Sequence, residues 1–327
     1  MLFRSVYTRT RLDRTIEDAG TITQNGEVYY IVNPGMGVNA SVPNCNGCPP
    51  NIKAIRNYDG LELRLTKRFS HQWFGEFSYT YSRLYGNYDG LTSTDLSDGV
   101  GRNGANTDRA FDEPFMSYDA HGKSASGPLA TDRPHTFKAN VYYTLKWWKY
   151  STVFGLFEQA YSGTPITSYI SVWGAPVFVE GRGNFVPMSS NNGTWTAGTP
   201  TAMRTPRFVQ SDLSAYQDLH VSKTNEKLVA RIGADCLNCL NQHHPTIITS
   251  NLIYSGGINP AICGTAGTNC TQVGADQAGF DYGALMSQGY NYTALATAAK
   301  ASVSSLYGTP QAWQRPRTMR FQVRFTF

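Results

Sequence analysis

Apolar and polar residues alternate with a period of two through much of the chain, as they do in strands that turn one face away from water. In Tyr58–Phe69, Leu61, Leu63, Leu65 and Phe69 share one face, and Glu62, Arg64, Thr66 and Arg68 share the other. The pattern turns within Ser70-His71-Gln72 and resumes in Trp73–Tyr85. There Trp73, Gly75, Phe77, Tyr79 and Tyr81 oppose Glu76, Ser78, Thr80 and Ser82. Arg133–Leu145 sets His135, Phe137, Ala139, Val141, Tyr143 and Leu145 against Thr136, Lys138, Asn140 and Thr144, then turns at Lys146-Trp147-Trp148-Lys149. The return strand Tyr150–Ser162 is apolar on both sides, so its register stays open. Arg207–Leu219 and Glu226–Leu240 form a third hairpin around Ser222–Asn225, in which Leu228, Ala230, Ile232 and Ala234 oppose Val229, Arg231, Gly233 and Asp235. Thr318–Phe327 is the last strand, and Phe3–Arg11 is predicted as the first.

The connections carry a second signal. Three are tight turns, and between them lie long polar segments at roughly 12–57, 86–132, 163–206 and 241–312. Compact domains rarely hold structureless loops beyond about 12–15 residues. Outer-membrane β-barrels alternate short periplasmic turns with long extracellular loops and have an even strand number. The predicted strands match the about 9–11 residues or more that a tilted membrane strand needs. Aromatics sit near strand ends, as interfacial girdles do: Trp73 and Trp147-Trp148 on one side, Tyr79, Tyr81 and Trp313 on the other. The predicted fold class is therefore all-β: an antiparallel transmembrane β-barrel segment of about eight strands with long extracellular loops. A soluble antiparallel sandwich shares the alternation but not the loop asymmetry. The last loop also predicts a short helix, with Thr293 as N-cap and Leu295, Ala299, Ser302 and Leu306 along one face.

Composition narrows the picture further. Charged residues make up 16% and aromatics 13% of the chain, the reverse of a disordered sequence. The net charge of +5 is spread thinly, with no Lys/Arg run dense enough for a nucleic-acid arm, so no nucleic-acid partner is predicted. No segment is apolar enough for a membrane helix, a test that leaves barrels untouched. The first residues, MLFRSVYTRT, lack the apolar stretch of a signal peptide although an outer-membrane protein needs one, so the natural N-terminus is expected upstream.

Six cysteines are present. The CxxC pairs Cys45/Cys48 and Cys236/Cys239 lie too far apart for a zinc ribbon, and no nearby His completes either. Loop disulfides in an oxidising compartment are expected instead, with Cys45–Cys48 and Cys263–Cys270 the natural local pairs.

Candidate chemistry is sparse. The ending places Met319, Phe321, Val323, Phe325 and Phe327 at alternate positions. It resembles the C-terminal signal read by the barrel-assembly machinery of Gram-negative bacteria, which takes up a strand with an apolar row and unpaired backbone groups. Arg64, Arg68, Arg320 and Arg324 fall on the polar faces of their strands and are expected to line the lumen of a wide barrel. Asp112 and Glu113 are adjacent on a loop, without the separation that paired acid/base carboxylates require. His243-His244 lacks the further ligands a metal needs. No nucleophile elbow, zincin or P-loop motif occurs, so neither an enzyme nor a cofactor is predicted.

RLDRTIEDAG (11–20), NYDGLELRLTKRF (57–69), FSYTYS (77–82), TDRPHTFKANVYY (131–143), SGTP (162–165), RTPRFVQSDLSAY (204–216), the Cys236–Gln242 stretch and the ending RPRTMRFQVRFTF resemble, in this order, the C-terminal barrel of TonB-dependent receptors, particularly the Oar-like group. Leu237–Gln242 is similar to the family's Asn-Leu-Phe-Asn-Gln strand end, from which Cys239 and Leu240 depart. The resemblance implies an outer-membrane location, contact with outer-membrane lipid and a complete barrel of about 22 strands. It also implies an N-terminal plug, and energy coupling through the TonB complex by way of that missing part. The chain is then expected to be a partial barrel domain over 1–327. It would serve uptake of a large nutrient, an oligosaccharide or a metal chelate. A non-transporting surface or adhesion protein on the same barrel, and a secreted all-β carbohydrate-binding protein, are the alternatives.

Overall fold

A computed structural model describes residues 1–23, 26–41, 48–90, 111, 114–147, 150–172, 175–220, 229–253, 289, 291–298 and 301–326. Eight long strands form the wall: β1 (Leu2–Leu12), β2 (Arg56–Ser70), β3 (Trp73–Gly86), β4 (His135–Trp147), β5 (Tyr150–Tyr161), β6 (Phe208–His220), β7 (Val229–Leu237) and β8 (Thr318–Thr326). Each pairs antiparallel with its neighbour in sequence, so the sheet is a plain up-and-down meander. The two-residue strand Gly127–Pro128 adds to the end of β3. β1 and β8 are the two edges, and the sheet does not close on itself.

The turn between β2 and β3 is as short as its chemistry allows. His71 (φ 51°) and Gln72 (φ 67°) both adopt the left-handed conformation, as a two-residue hairpin turn matched to strand twist requires. All four long connections leave from the opposite end of the sheet. The predicted turn at Ser222–Asn225 lies outside the described residues.

Register resolves the strand that sequence left open. Phe154 and Leu156 of β5 join the face of Tyr143 and Val141, whereas Phe157 joins Asn140 on the other. Apolar rows therefore run unbroken from β3 to β8. One is Gly75–Val141–Leu156–Leu213–Cys236–Met319; the next is Trp73–Tyr143–Phe154–Ala215–Ala234–Phe321. In β2 and β3 this belt is bounded toward the loops by Asp59 and Arg83, with Arg11 bonded to Asp59 at 2.6 Å. At the turn end it is bounded by Lys67, whose ammonium lies 4.1 Å over the Trp73 ring. Asp59 and Lys67 stand eight residues apart. At about 3.4 Å per residue this is about 27 Å along the strand. A tilt of about 35–45° leaves about 19–22 Å across a bilayer, close to the about 25 Å apolar band of outer-membrane barrels.

The belt has few polar breaks: Ser5 of β1 stands opposite Leu63 at mid-belt, and the others lie toward the strand ends. Glu158 stands on the apolar face between Ala139 and Ser211, near the loop end of β5, where a charge costs least. At the turn end, Trp147 Nε1 donates to Thr152 Oγ1 at 2.9 Å, and Thr152 donates to Gln217 Oε1 at 2.5 Å.

No second sheet covers the belt among the described residues. Leu61, Tyr143, Phe154, Leu213 and Ile232 of the wall are exposed, and edge residues Phe321 and Phe325 reach 77% and 65%. The buried cores lie in the connections instead. Met116, Tyr118, Ile170, Val179, Val186, Trp195, Leu252 and Ala296, drawn from three different long loops, form the main one. Ala19, Ala54, Tyr88 and Phe111 form a second. A sandwich inverts this arrangement, burying strand faces and exposing loops.

The loops are thus not structureless. They carry their own hairpins, Glu17–Thr23 with Gly26–Val32, Tyr169–Val172 with Ala175–Phe178 and Met188–Asn191 with Thr194–Ala197, and a two-stranded ladder of Pro245–Ile248 with Pro310–Trp313. The short helix α1 (Tyr292–Ala298) is present, but its cap is Asn291, not Thr293. Asn291 Oδ1 accepts from Ala294 N at 3.0 Å and from the Thr293 hydroxyl at 2.6 Å. An Asx side chain two residues earlier outcompetes the hydroxyl because it satisfies a free helical N–H. The buried helix residue is Ala296, and Leu306 lies beyond the helix in the turn after Ser304.

Candidate functional site: the polar sheet face and the loop head

The face opposite the apolar belt is a ladder of polar and charged groups. One row reads Arg4–Arg64–Ser78–Lys138–Gln159–Gln210 across six strands. Arg64 is held by Glu76 at 2.6 Å. On β6–β8, Arg231 makes two bonds to the Asp218 carboxylate, at 2.7 and 2.9 Å, and Tyr216 donates to Asp235. Arg324 lies across from Arg231, and Arg320 across from Asp235. Arg68 follows Arg64 on the same strand and is exposed near the turn. Arg64, Arg320 and Arg324 thus lie on the face opposite the apolar belt, Arg64 with an acidic partner, Arg320 across from a carboxylate and Arg324 across from another arginine. Glycines let the wall approach itself there: a Cβ on Gly155 would meet the Tyr142 ring at 3.0 Å, and one on Gly233 would meet the Tyr216 ring at 2.2 Å. The tyrosines lie over these glycines and fill the gap, as aromatics do beside strand glycines.

Buried ionic clamps join the loops to the rim of the wall. Asp132 accepts from the Leu84 amide at 2.6 Å and pairs with Arg204, whose other nitrogen donates to the carbonyls of Asp132 at 2.7 Å and Gly163 at 3.0 Å. One pair of side chains therefore ties together the ends of β3, β4 and β5. Arg182 pairs with Asp89 and donates to the Asn87 carbonyl at 3.1 Å. Asn87 in turn accepts from Ile55 N at 2.7 Å and donates to Lys53 O at 2.9 Å. The third hub is Asn238, in the left-handed conformation at φ 49°. Its amide N–H donates to Asp212, its side chain donates to the carbonyls of Gln242 and Arg315, and its Oδ1 accepts from Gln242 N.

Within the head, Tyr307 donates to the Val186 carbonyl at 2.7 Å and pairs with the Ser168 hydroxyl. Burial pushes its phenol well above the usual tyrosine range. The Phe185 ring stacks on Tyr307 at 4.8 Å, and His243 stacks on Trp313 at 4.4 Å. A cavity of about 500 Å³ opens between the Pro245–Ile248/Pro310–Trp313 ladder and Tyr169.

A family model described as an outer membrane beta barrel domain matches residues 49–172. The TonB-dependent transporter Oar of Myxococcus xanthus is 25% identical over 333 residues, an alignment covering 98% of this chain and 26% of that protein. The chain is thus similar to the Oar transporter over nearly its whole length, and to an outer-membrane β-barrel domain over 49–172. It spans about a quarter of the length of the relative it matches. No solved structure matches it. These similarities indicate an outer-membrane location, with lipid as the surroundings.

The C-terminal row Met319, Phe321, Val323 and Phe325 occupies the exposed edge strand β8, while Phe327 lies outside the described residues. Cys45, Cys263 and Cys270 also lie outside them, as do Asp112 and Glu113. Cys48 is disulfide-bonded. Cys236 and Cys239, a CxxC pair in the sequence but not one of the expected disulfides, form a disulfide across the end of β7. The departure of Cys239 from the family pattern was the signal for it. His243 is engaged with the Trp313 ring, and Trp313 itself sits in a two-stranded loop ladder, not in the wall. Asn192-Gly193, with φ 47° and 78°, turns the Met188–Ala197 hairpin, and this dipeptide was the legible mark of a structured loop.

Proposed function

We propose that this chain is the wall and external head of a TonB-dependent transporter that takes up a large nutrient, an oligosaccharide or a metal chelate, across the outer membrane. The carrying observation is the sidedness of the sheet: exposed apolar rows on one face, a charged ladder on the other, and every long connection gathered at one end. On this reading the belt meets lipid tails. Arg64, Arg68, Arg320 and Arg324 line a watery lumen, where Arg64 is already neutralised by Glu76. The exposed edge β8 is what the assembly machinery grips while it adds strands. The 1–327 segment is then part of a larger barrel, and TonB acts through a portion that this chain does not span.

The complete protein carrying this chain is expected in the outer-membrane fraction, extracted only by detergent. Its uptake of a fluorescent oligosaccharide or iron chelate should cease when the inner-membrane proton gradient is collapsed or TonB is removed. Uptake unchanged by both treatments would defeat the energised-transporter reading, and recovery in the soluble periplasm would defeat the barrel.

A further inference from the structure

Resting on that transport reading, we infer that the cavity of the loop head binds an uncharged, hydroxyl-rich ligand: one or two rings of a neutral saccharide. The cavity holds about 500 Å³, within the about 300–1,000 Å³ of small-ligand sites. Its walls come from two separate long connections. Tyr169 comes from the segment after β5, and the remainder from the segment after β7. The loop-to-wall clamps and the main head core hold these segments in place, so the site is built before any ligand arrives.

The lining decides the ligand class. Among the described residues, none of those around the cavity carries a charge. An anion there would be stripped of water with no countercharge, an expense that carboxylates, catecholates and phosphates would all meet. Charged chelates are excluded on the same ground. Apolar side chains, Ile253 and Leu306 among them, face the carbon-bound hydrogens of a sugar ring. Thr249, Asn251 and Gln311 face its hydroxyls. Asn251 Oδ1 is used internally, accepting from Ile253 N at 3.1 Å, which leaves the amide NH₂ of Asn251 to point its donors at a ligand.

Gln311 is placed by a defect in the two-stranded ladder. Pro245 pairs with Trp313, Ile247 with Ala312 and Ile248 with Pro310, so the ladder shifts twice and Gln311 is the extra residue on its strand. Such bulges re-aim a side chain that the regular ladder would turn elsewhere, and they gather at binding sites. Here the re-aimed side chain is a neutral amide on the cavity wall.

The test uses the complete protein purified in detergent, with maltotriose, cellotriose and xylotriose as neutral probes and trigalacturonate and ferric citrate as charged ones, each titrated by saturation-transfer NMR. At least one neutral trisaccharide is expected to bind. Gln311→Ala and Asn251→Ala should each weaken it roughly three- to ten-fold, the size of one net hydrogen bond. Thr249→Val, which keeps side-chain volume, provides a third variant should either of the others lose the ladder, judged by protease resistance of the head. Gln311→Glu should not admit the charged probes. Binding of ferric citrate or trigalacturonate that these variants abolish would overturn the inference, as would failure of all neutral probes at millimolar concentration. Either result leaves the transporter reading standing. Saccharide binding that responds to the variants, without energy-dependent uptake, would instead retire transport and keep the site.

Discussion

Replacing Val141 by Lys separates a lipid-facing belt from every soluble alternative. Val141 is the seventh of the thirteen residues of β4, flanked in register by Gly75 and Leu156. Six residues to either strand end, at about 3.4 Å each, give about 20 Å of strand. With a tilt of about 35–45° that is about 14–17 Å along the membrane normal, slightly more than half of the about 25 Å apolar band, so Val141 sits at the midplane. A Lys on the lipid face at that depth costs about 2–4 kcal/mol, which is about a 30- to 700-fold loss in the folding equilibrium. Asn140 is one residue away on the other face, across from Glu76. Asn140→Lys should therefore stay within about 0.5 kcal/mol of the parent, as surface changes do. Reversible urea unfolding of the complete protein in phospholipid vesicles, read by tryptophan fluorescence, measures both. Equal effects, or a larger loss for Asn140→Lys, would refute the assignment of faces and with it the watery lumen.

Three further outcomes follow from the rim and the head. Asp132→Ala leaves the Leu84 amide without its acceptor and strips Arg204 of its carboxylate, an expected loss of about 2–4 kcal/mol after allowing for the partial exposure of Arg204. Asp132→Asn should recover about half, and thermal unfolding in detergent that ranks the two alike would remove the clamp from the account. Tyr307 is held neutral by burial, so its contribution is complete below the ordinary tyrosine pKa of about 10 and fades as pH climbs toward the higher folded value. The head should accordingly become protease-sensitive above about pH 10; in Tyr307→Phe that alkaline step should vanish, and its survival would point to another group. The Cys236–Cys239 disulfide closes a very short loop, so Cys236→Ser with Cys239→Ser should cost only about 2 kcal/mol, visible as a lowered unfolding midpoint of the β7 end by hydrogen exchange and absent if the Asn238 hub alone holds that rim.

Much of the wall was legible without coordinates, because a strand with lipid on one side and polar groups on the other prints its geometry on every second residue. The eight strands, their sidedness and the alternation of tight turns with long connections follow from positions such as Leu61, Leu63 and Leu65 against Glu62 and Arg64. The C-terminal alternation likewise marked β8 as an edge before its neighbour was known. Where both faces of a strand are apolar, as in Tyr150–Tyr161, the period carries no direction, and only cross-strand pairing placed Phe154 and Leu156 on one face and Phe157 on the other.

The head was decided by tertiary structure alone. Its core joins Met116, Ile170, Trp195 and Leu252 from connections far apart in the chain, each too sparse in apolar residues to announce a fold by itself. Its ionic clamps pair Asp132 with Arg204 and Asp89 with Arg182 over distances no local pattern records. Periodicity reports what one segment does against its solvent; burial shared among several loops is a property of their meeting, and only the folded chain holds it.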